Sequence, residues 1–183
     1  MALKATVFKA TLQVADMDRN HYGEYALTIA RHPSETDERM MVRVLAYGLH
    51  ADAQLQFGGG VSTEDEPALW RKDLTGRIEQ WIEVGLPDEK RIRRACGKAD
   101  EVLVYAYGGH AAELWWKPLE AELQRNRNLT VAFLPQDATR ALAKLAQRTM
   151  QLNCTIQDGQ VWLGDGAETV QLEAEARLRP AGS

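Results

Sequence analysis

The sequence predicts a single α/β domain spanning 1–183, with a mixed-sheet centre and an additional antiparallel layer built from N- and C-terminal strands. Three observations carry this expectation. Apolar and polar residues alternate near both ends of the chain, the pattern of half-buried strands. Two mostly apolar runs, EVLVYAY at 101–107 and LTVAFL at 129–134, read as buried strands of the parallel type. Segments with helical periodicity and capping residues lie between the strands. At 183 residues, with 45% hydrophobic and 26% charged side chains, the chain supports one good core and is globular in composition.

A net charge of −4 argues against a general nucleic-acid coat protein, which is usually basic, but leaves room for a local basic patch. The opening MALKATVFKATLQV alternates and lacks the apolar run of a signal peptide, and no segment is apolar for long enough to span a bilayer. Cys96 and Cys154 form no CxxC pair. The expectation is a reduced cytoplasmic protein with both thiols in the core, in which the sequons at Asn128 and Asn153 are coincidental.

In order, Phe8, Ala10, Leu12 and Val14 alternate with polar neighbours and predict a strand, paired through the DMDRN turn with YALTIA at 25–30. The DMD run lacks the Gly and terminal Glu of a calcium loop and reads as a solvated turn. A helix is expected over 35–50, with Ser34 as N-cap and Met41, Val42, Leu45 and Leu49 as its apolar stripe. Glu38 falls at the N-terminal end of that stripe. It either needs a partner or a functional reason there, or rides at the solvent edge against Arg31 or another arginine. Leu55 to Phe57 reads as a short strand. The GGGVSTEDE run that follows has no Gly-Lys-Ser/Thr and so reads as a mobile connection and not a phosphate loop.

Next come strands over 68–74 and 77–85 joined by a Thr75-Gly76 turn, then a helix over 88–98 capped by Asp88. GGHAAELWWKPLEAELQ is helical in pattern and splits or kinks at Pro118. Of Trp115 and Trp116, one is expected as a core anchor beside an exposed neighbour. Asp137 is read as the cap of a last helix with Ala138, Ala141, Leu142 and Leu145 inward. QLNCTIQ and QVWLG form a hairpin through Asp158-Gly159, and one final strand runs from Val170 to Leu178.

The stretch from Glu66 to Lys98 holds the chemistry. A two-residue turn at Thr75-Gly76 pairs Leu74 with Arg77, and the register then sets Ala68 opposite Glu83 and Glu66 opposite Gly85. Glu66 and Glu83 become diagonal neighbours about 5–8 Å apart, a spacing at which two carboxylates can share Mg²⁺. Asp73 lies ~17 Å along the strand from Glu83 and is set aside. Lys90, Arg94 and Lys98 line one side of the following helix, with Lys90 best placed to reach the carboxylates and Arg91, Arg93 and Arg94 suited to phosphates. Read blandly, KRIRR is a solvated helix face and Glu83 an exposed strand residue.

This helix, three strands, helix, strand order resembles the core of the PD-(D/E)XK nuclease superfamily, here over approximately 34–134. The resemblance implies a restriction-endonuclease-like fold and a metal-dependent phosphodiesterase acting on DNA or RNA. Glu38 matches the helix acid, Glu66 the strand acid and Glu83 the acid of the acid-x-Lys motif. Position 85 is Gly where the motif has Lys, and Lys90 would supply the cation from the helix. The expected catalytic set is then Glu38, Glu66, Glu83 and Lys90, with Glu66 and Glu83 on Mg²⁺. At closer range ARHPSETDERMM, DEPALW, WIEVGLPDEKRIRRAC, AAELWW and TIQDG-VWL resemble the YaeQ family of bacterial proteins over nearly the full chain. The alternative on the same fold is a catalytically degenerate module that binds nucleic acid or a protein partner. Scattered histidines without a nucleophile elbow do not support a Ser/His/Asp hydrolase, and the Cys and His spacing does not support a zinc site.

Overall fold

A computed structural model describes residues 4–59 and 65–180. Two sheets face each other across a helical layer. One has five strands in the order β10-β9-β8-β1-β2, the other six in the order β11-β7-β6-β5-β4-β3. The strands of the five-stranded sheet are β1 (Thr6–Asp16), β2 (His21–Arg31), β8 (Thr149–Gln157), β9 (Gln160–Gly164) and β10 (Thr169–Glu173). The six-stranded sheet holds β3 (Leu55–Phe57), β4 (Leu69–Lys72), β5 (Ile78–Val84), β6 (Ala99–Ala106), β7 (Leu129–Phe133) and β11 (Glu175–Leu178). Helices α1 (Asp37–Leu49) and α5 (Gln136–Ala143) fill the space between the sheets. On the outer face of the six-stranded sheet lie α2 (Glu89–Lys98), α3 (His110–Trp116) and α4 (Glu120–Leu123).

Each half of the core follows from strand alternation. Phe8, Ala10, Leu12 and Val14 of β1 point inward with Leu27 and Ile29 of β2, against Ile82 and Val84 of β5 and Leu103 and Tyr105 of β6. Trp81 of β5 and Val102 and Val104 of β6 point the other way, onto Ile92 and Ala95 of α2 and Trp116 of α3. Because α1 lies between two sheets, Met40 to Gly48 are buried all round, where the sequence predicted a single apolar stripe. Arg43 tolerates this burial because Glu35 accepts from it through both oxygens, at 2.9 and 2.5 Å.

Glu35 therefore stands outside the helix. The N-cap is Thr36, whose hydroxyl accepts from the Arg39 N–H at 3.0 Å, and not Ser34, which bonds to His32. Asp88 caps α2 as expected, accepting from the Arg91 N–H at 2.8 Å. Pro118 separates α3 from α4. Trp116 is buried, while Trp115 is half-buried and donates from Nε1 to the Pro87 carbonyl at 2.7 Å. Asp137 lies inside α5, whose N-cap is Pro135. Asp158 and Gly159 both have positive φ, 52° and 77°, and close the β8–β9 hairpin as their sequence signals.

Two expectations about the second layer need correction. It is not wholly antiparallel, because β1 and β8 run parallel in the middle of the five-stranded sheet. The final strand is also two strands. β10 pairs with β9, the chain leaves the sheet at Ala174, and β11 pairs with β7 in the other sheet. Period-two alternation persists through that crossing, so nothing in the pattern marks it. The end of the glycine-rich connection, at 60–64, lies outside the described residues.

Candidate functional site

Strand β5 and helix α2 hold most of the residues singled out above. The β4–β5 register is the expected one over its main part, with Leu69 opposite Ile82, Trp70 opposite Trp81 and Arg71 opposite Gln80. The turn is longer than two residues. The Asp73 carboxylate accepts from the Thr75 N–H, the Thr75 hydroxyl and the Arg77 N–H, at 2.8, 2.6 and 3.0 Å, and a bulge then pairs Lys72 with Ile78.

Glu83 shares the outward face of β5 with Trp81. It is buried, and both of its oxygens are taken. Arg91 donates from Nε to Oε2 at 2.7 Å and from Nη2 to Oε1 at 3.1 Å, and the Trp81 indole donates to Oε1 at 3.0 Å. Arg91 Nη2 also reaches the main-chain carbonyl of Glu66 at 2.7 Å. One guanidinium thus ties the segment leading into β4, the end of β5 and the first turn of α2 together. Arg91 serves that joint, where the sequence had it on phosphate, and Glu83 is a buried ion-pair partner, not an exposed strand residue.

Glu38 is not part of this arrangement. It sits on α1, on the inward side of the six-stranded sheet, and accepts from the Thr139 hydroxyl of α5 at 2.9 Å. Its carboxylate contributes, after burial, to raising the Tyr107 phenol to about 12. Glu38 and Glu83 therefore face opposite sides of one sheet. Glu66 meets Arg91 through its main chain. Among the described residues, no three His, Cys, Asp or Glu side chains converge as a metal site. As the side chains stand, the expected set does not fit Mg²⁺: the cation-binding oxygens of Glu83 already hold a guanidinium and an indole.

Gly85 has a φ of +96° and donates its N–H to the Tyr105 carbonyl at 2.9 Å. The strand ends in a left-handed residue, a conformation that disfavours Lys. Lys90 and Arg94 line a shallow pocket of about 250 Å³ with Asp88 and Arg91. Arg93 is exposed and pairs with Glu89 at 3.3 Å. Lys98 lies with its Nζ 6.0 Å from the centre of the Trp81 ring. Beside α2 on the same sheet face, Trp70 is half-buried, meets Trp81 edge-on at 5.8 Å and carries the Lys72 ammonium 3.7 Å from its ring centre.

The sequence reading passed over a second polar group, at the other face of the sheet. His50, at the C-terminal end of α1, bonds through Nε2 to the Tyr105 hydroxyl at 2.5 Å, and Gln80 donates to Glu101 at 2.7 Å. Burial, helped by Arg19 and Arg71, pushes the His50 imidazole down to about 4. The signal available was Gln80 alone on the inward face of a strand otherwise lined by Ile82 and Val84. It gains meaning only once the strands are registered, because Gln80 lies directly opposite Glu101.

The fold and this face define a two-sheet mixed α/β protein with a cation-rich helix laid against a tryptophan-bearing hairpin. The YaeQ protein family model matches residues 1–174. The YaeQ protein of Salmonella typhi is 48% identical over 182 residues, covering 99% of this chain and all of that one, and that of Escherichia coli K12 is 46% identical with the same coverage. The chain belongs to the YaeQ family. The crystal structure of YaeQ from Xanthomonas axonopodis pv. citri superposes with a TM-score of 0.93 at 49% identity, over 96% of this chain and 99% of that one. That of YaeQ from Pseudomonas syringae gives 0.92 at 36% identity, over 97% and 98%.

Proposed function

We propose that this chain is a nucleic-acid-binding module on a restriction-endonuclease-like core, with α2 presenting cations to backbone phosphates and no cleavage at Glu83. The α1-β3-β4-β5-α2-β6 order supports the nuclease-like reading of the core. The observation that carries the function is the division of labour on α2. Arg91 neutralises Glu83, so Lys90, Arg93, Arg94 and Lys98 face solvent beside a strand whose two acids, Glu79 and Glu83, are each paired with an arginine. Each phosphate neutralised by such a cation releases counterions, so affinity falls steeply with salt. The net charge of −4 fits a local contact better than a coating one.

Anisotropy of a labelled oligonucleotide titrated with the full chain at 50 and 200 mM salt tests this. The expected outcome is salt-sensitive binding that weakens about tenfold in Lys90→Ala/Arg94→Ala and persists in Glu66→Ala. Binding indifferent to those cations overturns it.

A Mg²⁺-dependent phosphodiesterase is the second reading. One observation favours it: the Arg91 guanidinium bridges the Glu83 carboxylate and the Glu66 carbonyl, two oxygen sources that would suit a cation if the arginine left. Calorimetric titration with Mn²⁺ separates the two readings, because metal binding abolished by Glu83→Ala would favour cleavage and sink the non-catalytic proposal.

A further inference from the structure

From the arrangement beside α2, and resting on the nucleic-acid reading above, we infer that the ligand is a single strand, one base of which stacks on Trp70. A helix face of cations alone does not distinguish duplex from single strand, since both carry phosphates. The outer face of the β4–β5 hairpin does. Trp70 is half-buried there, braced edge-on by Trp81 at 5.8 Å, so its indole is fixed in orientation and still reachable. The Lys72 ammonium lies over the ring, 3.7 Å from its centre.

Lysine is a replaceable cover. Its flexible stem lets the ammonium swing onto a phosphate while a base takes its place on the ring. Base–indole stacking outweighs an exposed ammonium–ring contact, so the exchange is favourable. A base inside a duplex is already stacked on both faces and cannot make it.

The cations are arranged to match. Arg94 and Lys98 are one helical turn apart on α2, and Lys98 leans over Trp81, the residue directly opposite Trp70. From Lys90 to Lys98 the helix advances ~12 Å, the length of about three or four nucleotides of stacked strand. Of the neighbouring acids, Glu83 pairs with Arg91, Glu89 with Arg93, Asp100 with Arg77 and Glu79 with Arg71, while Asp88 caps α2 through the Arg91 N–H. The result is an aromatic surface flanked by the cations of α2, the combination that takes single strands with little sequence preference.

The probe is a fluorescein-labelled twelve-nucleotide oligothymidine, free or annealed to its complement, titrated with the full chain. The expected result is a single strand bound about tenfold or more tighter than the duplex. Trp70→Leu, which keeps apolar packing but removes the π-face, is expected to cost the single strand about 5- to 150-fold, the usual range for one stacked base, and the duplex under twofold. Trp70→Tyr is expected to restore most of the loss, and its melting temperature with that of Trp70→Leu checks the fold. Lys72→Ala lowers the salt slope of single-strand binding by about 0.7.

If both forms bind equally and Trp70→Leu changes neither, while Lys90→Ala/Arg94→Ala weakens both, the stacking inference falls and the helix reading stands. If the cation changes also leave binding untouched, both fall.

Discussion

Cutting the joint between Glu83 and Arg91 tests whether that pair is structural. Glu83→Ala removes the acceptor of three donors, at 2.7, 3.1 and 3.0 Å. The Trp81 indole N–H is then buried without a partner, at a cost of about 1–3 kcal/mol. The guanidinium keeps its bond to the Glu66 carbonyl and a quarter of its side chain in water, which softens the charge penalty. The total is about 3 kcal/mol, the low end for breaking a buried pair. At ~2–4 °C per kcal/mol for a chain of this size, the melting temperature drops by about 10 °C. Arg91→Met is expected to cost a similar amount, because it leaves the buried carboxylate with one neutral donor. The double variant Glu83→Leu/Arg91→Met leaves no buried charge, only the neutral Trp81 indole and Glu66 carbonyl without these partners, and is expected to cost ~1–2 kcal/mol, well below the sum of the singles. Urea unfolding of the four proteins, with slopes compared, measures the coupling. Single variants that each cost under about 1 kcal/mol, or costs that simply add, would refute the account of α2 as pinned through Arg91.

Two other features give sharp expectations. His50 is held at about 4 by burial and by Arg19 and Arg71, against an ordinary value near 6.5. A depressed folded value stabilises fully above about pH 6.5, and that contribution, on the order of 3 kcal/mol, is lost progressively as pH falls towards 4. His50→Asn should therefore flatten the stability profile over that window, and an unchanged acid slope by chemical denaturation would count against the assignment. At Gly85 a Cβ would meet nothing within 4 Å, so any cost of Gly85→Ala comes from its φ of +96° alone. A loss of ~1–2 kcal/mol is expected by thermal melting, with Gly85→Lys no better. A neutral Gly85→Ala would show that the strand end relaxes to ordinary geometry.

Much of the secondary structure was legible because local signals coincide with local structure. Asp88 caps α2, Asp158-Gly159 closes its hairpin, and Pro118 divides α3 from α4. The β4–β5 register survived an error in the turn, since the bulge at Lys72 absorbs the extra loop residues before Arg71. Facing was harder. Glu83 and Glu38 were brought together by the resemblance to a nuclease motif, but they face two different cores, one on each side of the six-stranded sheet. Sequence alternation gives the relative facing of residues within a strand; which layer covers each face is decided by helices packed from elsewhere. The pairing of Glu83 with Arg91 was hidden for a related reason. At eight residues apart across a turn it has no fixed helical or strand spacing, and a KRIRR run gives no hint of which arginine turns inward.

The parallel pairing of β1 with β8 also has a consequence in time. Arg148 bonds to the carbonyl of Val7 across 141 residues, and the parallel ladder begins beside it with Lys9 opposite Thr149. At a synthesis rate of roughly 5–20 residues per second, β1 and β2 wait on the order of ten seconds for the strand that completes their sheet. During that interval the hairpin offers an unpaired edge and an uncovered apolar face bearing Phe8, Leu12 and Ile29. The nascent chain is therefore most exposed to mispairing and to chaperone capture at its first-made hairpin, well before the residues of α2 have a surface to stand on.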